Sequence, residues 1–174
     1  MVLPGSRVRL VPELGLESEL GLGPEVWFEP EVFLGFEFLL GPKRTSLAPD
    51  ELIVGVEWEP VEGPGSFAKV GRRNAMVVAI ASACLQVDEE RHAARLALGS
   101  VGPTVLRASR AEELAEQGDW SDPATLAEFG RLAAAESRPI DDLRGTAEYR
   151  RHVVAVLARR ALTQAGAWAE TERS

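Results

Sequence analysis

The chain has 174 residues, enough for one domain or for one domain joined to part of another. At 45% hydrophobic and 26% charged it matches globular averages and can support a packed core. A net charge of −8 argues against nucleic acid as the main partner, and no polybasic patch invites a membrane surface.

That charge is unevenly placed. Residues 1–64 hold 4 Lys/Arg against 12 Asp/Glu, whereas residues 65–174 hold 15 of each and are neutral. The split suggests two segments of different character. Cys84 is the single cysteine and sits in an apolar run, so an internal disulfide and a cysteine-ligated metal cluster are both excluded. It reads as a small core residue. The longest apolar run, "AMVVAIASACLQV" (75–87), is shorter than the roughly 20 residues of a spanning helix, so no membrane insertion is expected. "MVLPGSRVRL" lacks a charged start followed by an apolar stretch, so the expected setting is cytoplasmic.

In chain order, residues 1–37 mix Gly, Pro, Glu and aromatics without a sustained period. "SRVRLV" (6–11) alternates like a short strand, and "EVWFEPEVFLGFEF" suggests one or two more, broken at Pro30. "LLGPKRTSLAPDEL" (39–52) is turn-rich. "ELIVGVEWEP" (51–60) sets Leu52, Val54, Val56 and Trp58 on one side, the pattern of a half-buried strand. Pro60 stops it, and "VEGPG" (61–65) is a loop able to separate two domains.

Three strands are expected next: "SFAKV" (66–70), a central "MVVAIASACLQV" (76–87) covered on both faces, and "HAARLALGSV" (92–101). The polar "DEER" (88–91) joins the last two as a hairpin, which makes the sheet antiparallel. "GSVGPTVLRA" (99–108) reads as a bend between sheet and helices. Ser109 with Glu112 fits a capping box opening "RAEELAEQ", ended by Gly118. Asp122 and Pro123 open "PATLAEFGRLAAAES", with a stripe of Leu126, Phe129, Leu132 and Ala133. Thr146 can cap "AEYRRHVVAVLARRALTQA", with Gly166 as its stop and "WAETERS" as a frayed tail. The fold class is α+β: a small antiparallel sheet with three helices packed on one face.

"GPGSFA" (63–68) matches a dinucleotide fingerprint only formally, because Pro64 occupies its middle and a strand, not a helix, follows. Adjacent Asp141 and Asp142 do not converge on one substrate atom, so a turn and capping role beside Arg138 and Arg144 is the expectation. His92, at a hairpin end, and His152, on a helix, lack ligand-spaced neighbours and read as exposed. Lys69 stands out because the chain has 17 arginines and two lysines. It reads either as a solubilising charge at a strand end or as a point charge set against a bound anion or an electron-rich ring. Arg72 and Arg73 follow closely, either supporting it or pairing with nearby carboxylates.

Taken together, "FLLGPKRTSLAPDELIVGVEWEP" (38–60), "FAKVGRRNAM" (67–76), "ARLALGSVGPTVLRA" (94–108) and "AAAESRPIDDLRGTAEYRRHVVAVLARRAL" (133–162) resemble the FAD-binding medium subunit of molybdenum hydroxylases, the xanthine dehydrogenase and aerobic carbon monoxide dehydrogenase family. The resemblance implies that 66–165 form the flavoprotein C-terminal domain. Residues 1–62 then look like the incomplete end of an FAD-binding domain, and 166–174 like a tail. It implies FAD as cofactor, with Ile53 and Lys69 matching family positions that approach the flavin. The implied partners are a molybdopterin-containing large subunit and a 2Fe-2S small subunit, with electrons leaving FAD for NAD or a quinone-type acceptor. The family's glycine-rich FAD segments have no counterpart in residues 1–37, so the chain resembles a C-terminal portion that binds FAD with help from upstream sequence or partner chains. A cofactor-free docking module and a truncated product without function stand as the alternatives.

Overall fold

The computed structural model describes residues 7–12, 31–34, 38–57, 61–73, 77–89, 91 and 93–172, which belong to two compact units, Met1–Glu59 and Pro60–Ser174. The expectations for residues 25–30, Trp58, Met76, His92 and the last two residues of the tail lie outside the described residues.

In the first unit, β1 (Arg7–Pro12), β2 (Glu31–Leu34) and β5 (Glu51–Glu57) form an antiparallel sheet in the order β2-β1-β5, with an irregularity between Arg9 and Leu10. The turn-rich stretch contains a small hairpin of β3 (Leu39–Gly41) and β4 (Arg44–Thr45), turned through Pro42 and Lys43. Lys43 takes a left-handed φ of 58° at this turn. Ser46 N–H donates to the Phe38 carbonyl at 3.0 Å, and Phe38 is buried. The strand expected at 51–60 is present as β5 over Glu51–Glu57, but its described apolar positions are not half-buried. Leu52 and Val56 are 57% and 53% exposed. Alternation assigns residues to a face; it does not supply the layer that covers the face, and β5 is an edge strand of its sheet.

The second unit is a four-stranded antiparallel sheet, β6 (Gly65–Val70), β7 (Ala81–Asp88), β8 (Ala93–Gly99) and β9 (Leu106–Arg107), in that order. Three helices follow: α1 (Ser109–Gln117), α2 (Pro123–Glu136) and α3 (Ala147–Glu172). The α+β architecture expected from the sequence is the one observed. Two strand boundaries differ. The run expected as strand from Met76 forms strand only from Ala81, because Val70 pairs with Ala81 and the chain needs the preceding residues to return to that position. The expected bend at 99–108 contains β9, a short edge strand whose Leu106 lies opposite Leu98.

Alternation places Ala68, Val70, Ala81, Ala83, Leu85, Val87, Ala94, Leu96 and Leu98 on the face that packs against Phe129, Val154, Leu157, Ala158 and Leu162. The helices lie on this one face, so β7 is covered by helices on one side rather than on both. Many of these positions are alanine, which lets helix backbones approach closely. Gly130 shows the limit: a Cβ there would stand 2.5 Å from the Ala155 carbonyl of α3. Gly130→Ala is therefore expected to destabilise the unit by about 1–3 kcal/mol through overpacking, despite alanine's better helix propensity. A lower urea midpoint would register this.

The helix starts differ in how they are capped. Asp122 caps α2 as expected, accepting from Ala124 N at 3.2 Å and Thr125 N at 2.9 Å. Thr146 Oγ1 accepts from Tyr149 N at 3.1 Å at the start of α3. The capping box expected at Ser109 does not form. Ala108 is the N-cap, and the Glu136 carboxylate at the end of α2 accepts from Arg110 N and Ala111 N, each at 3.1–3.3 Å. Glu112 cannot close a box because it is drawn into the core by strand partners. Gly166 does not stop α3, which runs on through the expected tail to Glu172. It instead permits close passage, since a Cβ there would lie 3.3 Å from the Trp120 carbonyl. Among the described residues no helix is long and apolar enough to cross a membrane.

Candidate functional site

The sheet face turned away from the helices carries Gly65, Phe67 and Lys69 of β6. Register aligns Lys69 with Ser82 and Ser82 with Gly99, while Phe67 aligns with Cys84 and Cys84 with Ala97. Four small residues thus form a shallow floor beside two larger ones. Phe67 is 59% exposed, and Lys69 is exposed as well. Gly99 keeps the floor low: a Cβ there would come within 2.5 Å of Ser82 Oγ. Lys69 Nζ donates to the Val77 carbonyl at 3.1 Å, which holds the ammonium near the floor's edge without neutralising it. Cys84 and Ala97 are each 8% exposed, so the accessible part of the floor is its Ser82 and Gly99 end beside Lys69, where the edge of a flat ring can approach a cation.

Cys84 is buried in this floor, and burial pushes its thiol pKa up, so it is no nucleophile. This agrees with the core role expected of it. Among the described residues no group of three or more His, Cys, Asp or Glu could hold a metal. His152 is exposed on α3, as expected.

Arg72 and Arg73 are both exposed, and no carboxylate among the described residues pairs with them. They border a cleft of about 660 Å³ with Val77, Val78, Asp142, Leu143 and Arg144.

The Asp141–Asp142 pair is structural, as expected. Asp141 Oδ1 accepts from Ala147 N at 2.5 Å at the start of α3. Asp142 accepts from Arg144 N at 2.8 Å, Gly145 N at 3.3 Å and Arg150 Nη2 at 2.6 Å. The Arg144 amide and then the Arg150 guanidinium bring its carboxyl pKa down to about 2. Arg150 is 4% exposed, and its Nη1 also donates to the Ile80 and Ser100 carbonyls at 2.6 and 2.7 Å. Neither Arg150 nor Glu112 is legible in the sequence as a buried ion: both occupy charged helix stretches. Glu112 accepts from Leu96 N, Arg95 and Arg107.

Ile53 belongs to the first unit. It lies on β5 opposite Leu10, with its side chain 50% exposed. It is open to a ligand as far as its own unit is concerned.

Comparison with known proteins gives one family and several relatives. Residues 66–165 match the CO dehydrogenase flavoprotein C-terminal domain. The nicotine 6-hydroxylase medium subunit of Paenarthrobacter nicotinovorans is 34% identical over 140 residues, covering 75% of this chain and 47% of that protein. A putative xanthine dehydrogenase FAD-binding subunit of Escherichia coli (strain K12) is 28% identical over 134 residues, covering 74% of this chain and 46% of its own length. Among solved structures, CO dehydrogenase from Oligotropha carboxidovorans superimposes with a TM-score of 0.74 at 26% identity, over 96% of this chain and 55% of that one. Quinoline 2-oxidoreductase from Pseudomonas putida 86 shares the fold with a TM-score of 0.78, at 24% identity over 97% of this chain and 55% of its own. The chain spans about half the length of the relatives it matches.

Proposed function

Because the chain belongs to the CO dehydrogenase flavoprotein C-terminal domain family through residues 66–165, we propose that it is the C-terminal portion of the FAD-binding medium subunit of a molybdenum hydroxylase. Residues 1–62 are then the end of its FAD-binding domain. The observation that carries the reading is Lys69, exposed beside the small, partly accessible Ser82 and Gly99. These residues fit an isoalloxazine ring: the floor is low, a Cβ at Gly99 would clash with Ser82 Oγ, and an exposed aromatic stands alongside.

Bound FAD supplies a centre that accepts electrons singly and releases them in pairs. The chain's residues bind and tune it. Lys69 supplies a fixed positive charge that favours negative charge on the ring, and its bond to Val77 O sets its position. Ile53 supplies an apolar contact, and Phe67 shields one side of the floor. In this reading the partners are a molybdopterin-containing large subunit and a 2Fe-2S small subunit, with electrons leaving FAD for NAD or a quinone-type acceptor in the cytoplasm.

The test is FAD binding by the full chain, alone and coexpressed with its large and small subunits. Bound flavin absorbance is expected in at least the assembled form. Lys69→Ala is expected to weaken FAD binding about tenfold or more, the size of a charge-assisted contact of ~1.5–3 kcal/mol, and to lower the flavin's midpoint potential. Lys69→Arg is expected to retain most of both. Colourless protein that assembles with the large subunit would replace this reading with a docking module. Protein that binds neither flavin nor subunit would mark a truncated product.

A further inference from the structure

The stretch "VEGPG" (61–65), just after the boundary of the two units, has the composition of a free linker. Its residues are nevertheless tied to β7 by Gln86. The Gln86 side-chain Nε2 donates to the Gly63 carbonyl at 3.1 Å, to the Val61 carbonyl at 3.4 Å and to the Val87 carbonyl at 3.1 Å. The Val87 N–H donates to the Pro64 carbonyl at 3.0 Å. The carbonyls of Val61, Gly63 and Pro64 therefore all find donors on β7. Two glycines let the segment come this close. A Cβ at Gly63, whose φ is +130°, would stand 2.5 Å from the Val87 carbonyl, and one at Gly65 would stand 2.8 Å from Gln86 Oε1. Val61 and Glu62 are exposed, so hydrogen bonds rather than burial hold this stretch in place.

A side-chain amide nitrogen carries two N–H groups, so three carbonyls share two donors, and the longest bond, to Val61, is the weakest of the set. We propose that Gln86 is a positioning residue that fixes residues 61–64 as a strap, so that the chain coming from the first unit joins the second at a set point, Val61, and not through a free linker. A strap ordered in advance has already lost the chain freedom that a free linker would lose when a ligand or partner engages both units. Glycine and proline at a domain boundary ordinarily mark mobility; here Gly63 and Gly65 serve close approach, and Pro64 adds a fixed φ. All of these contacts lie within the second unit and owe nothing to a bound flavin.

The experiment is hydrogen exchange of the full chain read at the Val87 amide, together with cleavage after Glu62 by a glutamate-specific protease. The parent is expected to protect Val87 and to resist cleavage at Glu62. Gln86→Leu removes both N–H donors while keeping bulk, and is expected to speed Val87 exchange about tenfold, the scale of one lost hydrogen bond. Gln86→Glu keeps length and shape but has no N–H at neutral pH, so it is expected to behave like Gln86→Leu; a side chain needed only for packing would tolerate it. Gly63→Ala is expected to release the strap from its own side, because the added Cβ meets the Val87 carbonyl. Cleavage after Glu62 is expected to rise in all three variants. The amide of Leu162, buried inside α3, is expected to keep the parental rate, which marks local release and not loss of the fold. Rapid Val87 exchange in the parent, parental exchange in Gln86→Glu, or equal acceleration at Val87 and Leu162 overturns the proposal.

Discussion

Arg150→Ala is expected to cost about 3–5 kcal/mol of folding stability, the range for breaking a buried charge pair. Arg150 is 4% exposed and joins three separate pieces of chain. Its Nη1 donates to the Ile80 carbonyl just before β7 and to the Ser100 carbonyl just after β8, and its Nη2 donates to Asp142 in the turn before α3. Truncation leaves two carbonyls and a carboxylate short of donors; water can reach Asp142 and Ser100 in part, so the lasting penalty falls on the buried Ile80 carbonyl. The loss should move the urea midpoint down by roughly 1–3 M. Arg150→Lys is expected to recover only part of it, because one ammonium cannot span the same three acceptors. A variant within ~0.5 kcal/mol of the parent, the usual range of surface substitutions, would show that the clamp contributes little.

The same clamp has a pH signature. The Asp142 carboxyl is lowered to about 2 in the folded chain, against an ordinary value of 3.8. A depressed folded value means the unfolded chain takes up the proton first on acidification. The contribution is therefore complete above the unfolded value and is lost as pH falls from near 4 towards 2. Thermal unfolding followed across that window should show a falling Tm, with a shallower slope in Asp142→Asn. Equal slopes would remove Asp142 from the acid response.

Glu112→Ala is expected to cost about 2–3 kcal/mol, less than Arg150→Ala although Glu112 is only 2% exposed. Its carboxylate accepts from the buried Leu96 N–H at 2.9 Å, from Arg107 Nε at 2.8 Å and from Arg95 Nη1 at 3.3 Å. The two arginine side chains are 31% and 39% exposed and can rehydrate, so the lasting penalty falls on the Leu96 amide. The pair is mutual, since the Glu112 carboxylate raises the pKa of Arg107. Faster hydrogen exchange at Leu96 in Glu112→Ala, with β7 amides less affected, would locate the loss at the α1–β8 contact. Unchanged protection at Leu96 would show that the backbone finds another acceptor.

How far the fold is legible depends on the range of the interaction that forms each feature. Period-two alternation at Leu96 and Leu98 and the helical stripe of Phe129, Leu132 and Ala133 are set by neighbours in sequence, and both are borne out. Asp122 and Thr146 serve as caps because their acceptors reach amides two or three residues ahead. Asp141 and Asp142 accept from amides two to six residues ahead, which is why their structural role is readable without coordinates, whereas the Arg150 bond to Asp142 is not.

Where the sequence reading fails, a distant partner decides. Ser109 and Glu112 have the spacing of a capping box, yet Glu136 supplies the cap from across the helix pair and Glu112 turns to Leu96 and the arginines. Gly166 has the signature of a helix stop, but inside α3 its missing side chain makes room for Trp120.

The amino-acid order alone therefore determined the α+β class, the sheet-then-helix sequence, the caps at Asp122 and Thr146, and Lys69 as an unusual cation. Tertiary structure alone decided that Arg150 and Glu112 are buried, that small residues lie flat beside Lys69, and that Arg72, Arg73 and Arg144 share one cleft. The physical reason is separation along the chain. Periodicity and capping act over a few residues, whereas burial and convergence of charge depend on which distant segments packing brings together.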